Sequence, residues 1–225
     1  KQWVDEAKRI GVCALDTETD ALNDMTASLL GFSLSYREAS ACYCPLYGPD
    51  GEAVPRQAAL HVLQELLEEE NVRLVLQNAK YDYKVLTRAG LRFPTIGFDT
   101  MIAAWVLEAG DGNFGMDALA ETYLQCRTTP YSDVVPKGGS FDQVDLETAA
   151  HYAGEDADIT LRLYNVLKEK LSNRGVHSIF YDIELPLIRV LADMELAGIS
   201  IDQSYLQRLS QELQQKLSVI TADVY

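Results

Sequence analysis

Val12-Cys13-Ala14-Leu15-Asp16-Thr17-Glu18-Thr19-Asp20 is an apolar run that ends in three acidic residues spaced two apart. It reads as a buried strand with carboxylates at its end. Alternate side chains of a strand share a face, so Asp16 and Glu18 point the same way and can hold one hard cation between them. By itself the triplet also suits an ordinary turn, because acidic residues and threonine often close strands.

Outward from this stretch, Leu29 to Ser35 and Ala41 to Pro45 read as two further strands, so the first three form an antiparallel meander. A loop at Gly48-Pro49-Asp50-Gly51 leads to a helical pattern from about Gln57 to Glu70. Arg73 to Leu76 is a short strand, and Gln77-Asn78-Ala79-Lys80-Tyr81-Asp82 opens a helix that stops near Gly90. This is a second strand end that carries an acid. Asp99 and Thr100 suit the cap of a helix through Leu107, and Asp117 the first turn of a helix reaching Leu124.

Residues 128–141 hold Pro130, Pro136, Gly138 and Gly139 and predict an irregular, mobile loop. A long helix from Leu146 to Leu171, an apolar helix from Ile179 to Leu196, a short strand at Ile199–Ile201 and a polar helix from Gln203 follow. In the apolar helix, Ile183, Leu187, Leu191 and Met194 with Ile188 and Leu196 form a face expected partly to cover core and partly to await a further domain. Strands first and helices after predict an α/β fold, a mixed sheet flanked by helices, with the site where the carboxylate-bearing strand ends meet.

The 225 residues are 48% hydrophobic, enough for a substantial core. No window holds the roughly 18 consecutive apolar residues of a membrane span, and the opening at Lys1 suggests a piece of a longer intracellular protein. Cys13, Cys42, Cys44 and Cys126 lack zinc-site spacing and read as free thiols. With 34 acidic against 19 basic residues the net charge is −15, the wrong sign for a module that holds a polyanion unaided. Any nucleic-acid role leans on bound cations or a more basic neighbour.

The long helix contains His151-Tyr152-Ala153-Gly154-Glu155-Asp156-Ala157-Asp158, where Tyr152 and Asp156 share a face. Asp16, Glu18, Asp82 and Asp156 thus offer four acids from three elements, enough to hold two divalent ions. Asp-x-Glu, Asn-x-x-x-Asp and Tyr-x-x-x-Asp together resemble the three motifs of the DEDD-type 3′–5′ exonucleases, tyrosine subclass. With Phe98-Asp99-Thr100-Met101 and Met116-Asp117-Ala118-Leu119-Ala120 they resemble the proofreading domain of bacterial family A DNA polymerases.

The resemblance implies a ribonuclease H-like fold and hydrolysis of DNA 3′ ends, single-stranded or frayed, to nucleoside monophosphates in the bacterial cytoplasm, close to the nucleoid. It implies two divalent ions, Mg²⁺ or Mn²⁺, with Zn²⁺ a further candidate. Asp16 would bridge them, Glu18 and Asp156 would complete the nucleophile-side ion, Asp82 would hold the leaving-group ion and Tyr152 would orient water. Gln77 and Asn78 would contact substrate or support the site, Leu22 would wedge against the terminal base, and Tyr131 and Phe141 would stack on unpaired bases.

Ile183-Glu184-Leu185-Pro186-Leu187 through Asp202 resembles the start of the polymerase domain, which implies an exonuclease domain over 1–177 and a truncated polymerase segment over 178–225. Ribonuclease D-like RNA trimming and a catalytically idle module beside the polymerase are the alternatives. His151 also stands five residues before Asp156, the histidine-subclass spacing. On a continuous helix that offset is about 140° against about 40° for Tyr152, which favours the tyrosine. His151, Glu155 and Asp158 are then solvated helix residues.

Overall fold

A computed structural model describes residues 1–48 and 53–224. Apart from Gly48, the loop expected at 48–51 lies outside the described residues. A five-stranded mixed sheet, in the order β3-β2-β1-β4-β5, forms the centre. The strands are β1 (Val12–Thr19), β2 (Leu29–Arg37), β3 (Ser40–Pro45), β4 (Arg73–Leu76) and β5 (Phe98–Asp99). β1 runs antiparallel to β2 and parallel to β4, so the acid-tipped strand is central. Cys13, Ala14 and Leu15 are all buried, which requires cover on both faces.

The helices are α1 (Gln2–Ile10), α2 (Arg56–Leu67), α3 (Ala79–Arg88), α4 (Thr100–Leu107), α5 (Met116–Leu119), α6 (Tyr131–Val134), α7 (Leu146–Asn173), α8 (Leu185–Ala197) and α9 (Gln203–Val224). α7 lies across β1, β2 and β3 and brings Asp156 to the face that bears Asp16 and Glu18. α1 has no counterpart in the sequence reading. It buries only Val4 and Ala7 in a mostly polar helix and ends at Gly11 with φ 84°, a left-handed cap that glycine adopts without penalty.

Two expectations change. Ile199–Ile201 forms no strand: Ile199 is 90% exposed and pairs with neither edge of the sheet. The loop at 128–141 carries α6 and a 3₁₀ turn at Phe141–Gln143, and it buries Val135 and Phe141. The segment after α7 partly covers the core, as the apolar pattern predicts: Phe180, Leu185, Ile188 and Ala192 are buried with β5. Phe180 lies 4.8 Å from Phe98 between ring centroids. Ile183, just before α8, and Leu187, Leu191 and Met194 on its other face are exposed, and α9 buries no residue.

Candidate active site

Asp16 and Glu18 leave β1 on one side, opposite Ser33 and Gly31 of β2, and a bulge between Glu18 and Thr19 ends the regular pairing. Asp156 arrives from α7, so that carboxylate oxygens of Asp16, Glu18 and Asp156 lie within 4.8 Å of one another. Asp82, in the first turn of α3, is held by Thr17, whose hydroxyl donates to Asp82 Oδ1 at 2.5 Å. Asp82 stands outside that group of three, close enough for its charge to bear on Asp16 and Glu18.

The placement of α3 depends on a residue far away in sequence. Asn78 opens the helix in the left-handed region, φ 64°, with no cap from its own side chain. Asp99 of β5 supplies the cap: its Oδ2 accepts from Ala79 N at 2.7 Å, while Oδ1 accepts from Ile102 N at 3.0 Å. One carboxylate therefore caps both α3 and α4.

Electrostatics mark the cluster. Burial, reinforced by Asp82, raises Asp16 well above the ordinary carboxylate range, and burial with Asp16, Asp156 and Asp82 does the same for Glu18. Burial pushes Asp82 up to about 8 against the Thr17 hydrogen bond, and burial with the charge of Asp16 pushes Asp156 up to about 8. Glu18 Oε1 and Asp82 Oδ2 are buried with no hydrogen-bond partner in the chain. An all-oxygen, mutually repelling donor set with orphaned lone pairs fits hard divalent cations.

The raised carboxyls give a pH dependence without metal. Between the ordinary aspartate value of about 3.9 and about 8, the folded state keeps protons that the unfolded chain has released, so stability falls as pH rises through that window. In chelator, Asp156→Asn is expected to melt about 2–8 °C above wild type at pH 8 and no higher at pH 4. Calorimetry at both values checks this, and a wild-type melting temperature that climbs from pH 4 to pH 8 would contradict it.

Tyr152 stands one helical turn before Asp156, on a helix that is continuous from Leu146, while His151 is exposed on another face. Burial first, then the charges of Asp156, Glu18 and Asp16, raise its phenol well above the usual range. Its ring packs near Phe141 (5.9 Å) and Tyr131 (6.2 Å). Phe141, expected to stack on a base, is 3% exposed and packs with Leu30, Val135 and Ala149 beside Tyr152. Tyr131 is half exposed and available, and Leu22 is 90% exposed on the loop after β1.

Gln77 is tied at both ends, donating to Phe114 O at 2.9 Å and accepting from the Thr100 hydroxyl, so it braces the site. Glu155 and Asp158 are not merely solvated. Glu155 accepts from Thr129 N at 2.7 Å and Asp158 from Ala39 N at 2.6 Å, which pin the flanking loop and the β2–β3 turn. Thr17, Asp99 and Tyr43 are absent from the sequence-derived site. Tyr43 lies over Gly31, where a Cβ would collide with its phenol hydroxyl and ring, beside Glu18. A threonine between two acids was the one local signal.

The chain has relatives among known proteins. DNA polymerase I of Rhizobium leguminosarum is 40% identical over 100% of this chain and 24% of its own length. The chain thus spans about a quarter of such relatives. The POL domain of Pol1 from M. smegmatis, in complex with DNA primer-template and dNTP, superposes with a TM-score of 0.77 at 21% identity, covering 95% of this chain and 33% of that one. NrnC of Brucella melitensis gives 0.69 at 18% identity, over 86% and 88%. At these identities the structures share the fold, which is the ribonuclease H-like exonuclease fold. Because a 3′–5′ exonuclease family model matches residues 1–172, a span that takes in all four carboxylates and Tyr152, the chain belongs to the 3′–5′ exonuclease family carried by bacterial DNA polymerase I.

Proposed function

We propose that this domain proofreads for a DNA polymerase I, hydrolysing the last phosphodiester of a single-stranded or frayed DNA 3′ end to release a nucleoside monophosphate. The observation that carries the reading is the convergence of Asp16, Glu18 and Asp156 within 4.8 Å, with buried carboxylate oxygens left unpartnered. An idle module would have no reason to keep such a repelling cluster. The exonuclease unit would extend through α8, with α9 belonging to the polymerase part of a longer bacterial cytoplasmic protein.

Asp16, Glu18 and Asp156 would hold one divalent ion, and Asp82 with Asp16 a second. Bound there, the ions supply Lewis-acid stabilisation of the phosphate charge and a hydroxide at neutral pH. Tyr152 stays protonated well beyond neutrality, so its hydroxyl orients the attacking water and does not remove its proton. Tyr131 offers a stacking surface and Leu22 an apolar edge for the terminal base, while Asn78 lies beside Asp82 at the start of α3. The net charge of −15 leaves DNA affinity to the cations and to a polymerase domain.

The test is a labelled single-stranded DNA oligonucleotide with Mg²⁺ or Mn²⁺ against chelator, with RNA of the same sequence in parallel. Metal-dependent shortening from the 3′ end to mononucleotides is expected. Faster trimming of RNA would move the reading to a ribonuclease D-like enzyme. Under single-turnover conditions Tyr152→Phe is expected to slow hydrolysis about 10- to 1000-fold, and His151→Ala by less than about twofold. The reverse order would reassign the water-orienting group.

A further inference from the structure

The loop between β1 and β2 is clasped by one helix. Tyr81, Lys84 and Arg88 stand three and four residues apart on α3 and so share a face. The Tyr81 hydroxyl donates to Ala21 O at 2.7 Å and lies 2.5 Å from Thr19 Oγ1. Arg88 donates to Asp24 O at 3.0 Å and to Ala27 O at 2.6 Å. Between these anchors Lys84 Nζ lies 2.5 Å from Asp24 Oδ2. Leu22, held at Ala21 and Asp24 on either side, projects into solvent.

Lys84 is the unusual member of the three, because its side chain is 3% exposed, a rare setting for an ammonium group. It also pairs with Glu195 of α8, which in turn takes Lys80 Nζ at 2.8 Å. Two cations and two anions balance one another around the one buried ammonium, while Asp24, Lys80 and Glu195 keep contact with water. Buried ion pairs add little stability over apolar residues of similar volume, and their distinctive use is to fix one geometry. Here the geometry joins the Leu22 loop to α8, which lies beyond the residues 1–172 that match the exonuclease family.

We propose that Lys84 is a positioning residue: by joining Asp24 to Glu195 it makes the Leu22 loop, and with it the seat of the terminal nucleotide, follow the position of α8. This rests on the assignment of Leu22 to the terminal base. The catalytic carboxylates are left in place when the clasp is broken, so substrate reception changes and the chemical step does not.

A double-mutant cycle of Lys84→Met with Leu22→Ala on the full chain tests this, alongside amide hydrogen exchange. In K84M, exchange at residues 20–28 is expected to quicken about 10-fold or more while β1 and β2 stay protected. KM rises about 5- to 20-fold with kcat within about twofold, Lys84→Arg recovers most of the loss, and K84M adds nothing further in the L22A background. Should K84M melt below the assay temperature, Asp24→Asn breaks the same pair and carries the same expectations. Independent, multiplying effects of the two substitutions, or loop exchange that stays at the wild-type rate, overturn the linkage. An unchanged KM in L22A overturns the Leu22 assignment and this proposal with it. Absence of all hydrolysis would be a failure of the nuclease reading, and the exchange measurement still decides whether Lys84 fixes the loop.

Discussion

Asp16→Ala is expected to abolish hydrolysis, a loss on the order of 10⁴-fold or more in single-turnover rate, while the metal-free protein melts at the same temperature or higher. Asp16 interacts electrostatically with Asp82 and with Asp156, and its removal would take a ligand from each proposed ion position. The same removal relieves repulsion in a buried cluster, and alanine suits a strand position opposite the buried Ser33. Asp82→Ala is expected to be equally inactive but to gain less stability. It strips the Thr17 hydroxyl of its acceptor inside the protein, a cost of about 1–3 kcal/mol that offsets the relief. Both melts belong in chelator, because bound cation stabilises wild type by mass action. A D16A protein that no longer melts cooperatively would make the carboxylate structural.

What the sequence made readable were the features whose partners lie within one element. β1 declares itself by an apolar run ending in acids at period two, and α7 by Tyr152 and Asp156 at one turn's spacing. Features set by distant partners were not readable. Asp99 looks like the cap of α4 alone, since nothing local says that Ala79, twenty residues earlier, takes its other oxygen. Phe141 in a Pro/Gly-rich stretch looks like a loop aromatic until Tyr43 and Tyr152 close around it. Ile199-Ser200-Ile201 has the side chains of a strand, but strand formation also needs an edge to pair with, and the edges β3 and β5 leave it unpaired. The acids Glu155 and Asp158 read as solvated because their acceptor role depends on backbone N–H groups of Thr129 and Ala39.

Removing residues 178–225 is expected to destroy cooperative folding, whereas removing 203–225 leaves melting temperature and kcat nearly unchanged. α9 buries no residue, so its loss costs the nuclease core nothing. The segment before it is different. Phe180 is 0% exposed against Phe98, Leu185 and Ile188 are buried, the Tyr83 hydroxyl donates to Asp193 at 2.8 Å and Arg189 donates to Pro94 O at 2.9 Å. Loss of a buried phenylalanine costs about 3–5 kcal/mol and each buried leucine or isoleucine about 1.5–3, against a total stability of about 5–15 kcal/mol for a domain. The same cut strands the 3% exposed Lys84 without Glu195. Scanning calorimetry of the two truncations separates the cases. Removing 203–225 is also expected to reduce self-association, because it deletes the exposed apolar stripe of Leu206, Leu213, Leu217 and Ile220. A cooperative, active 1–177 fragment would put the domain boundary back before Phe180 and show that α8 only rests on the nuclease without completing it.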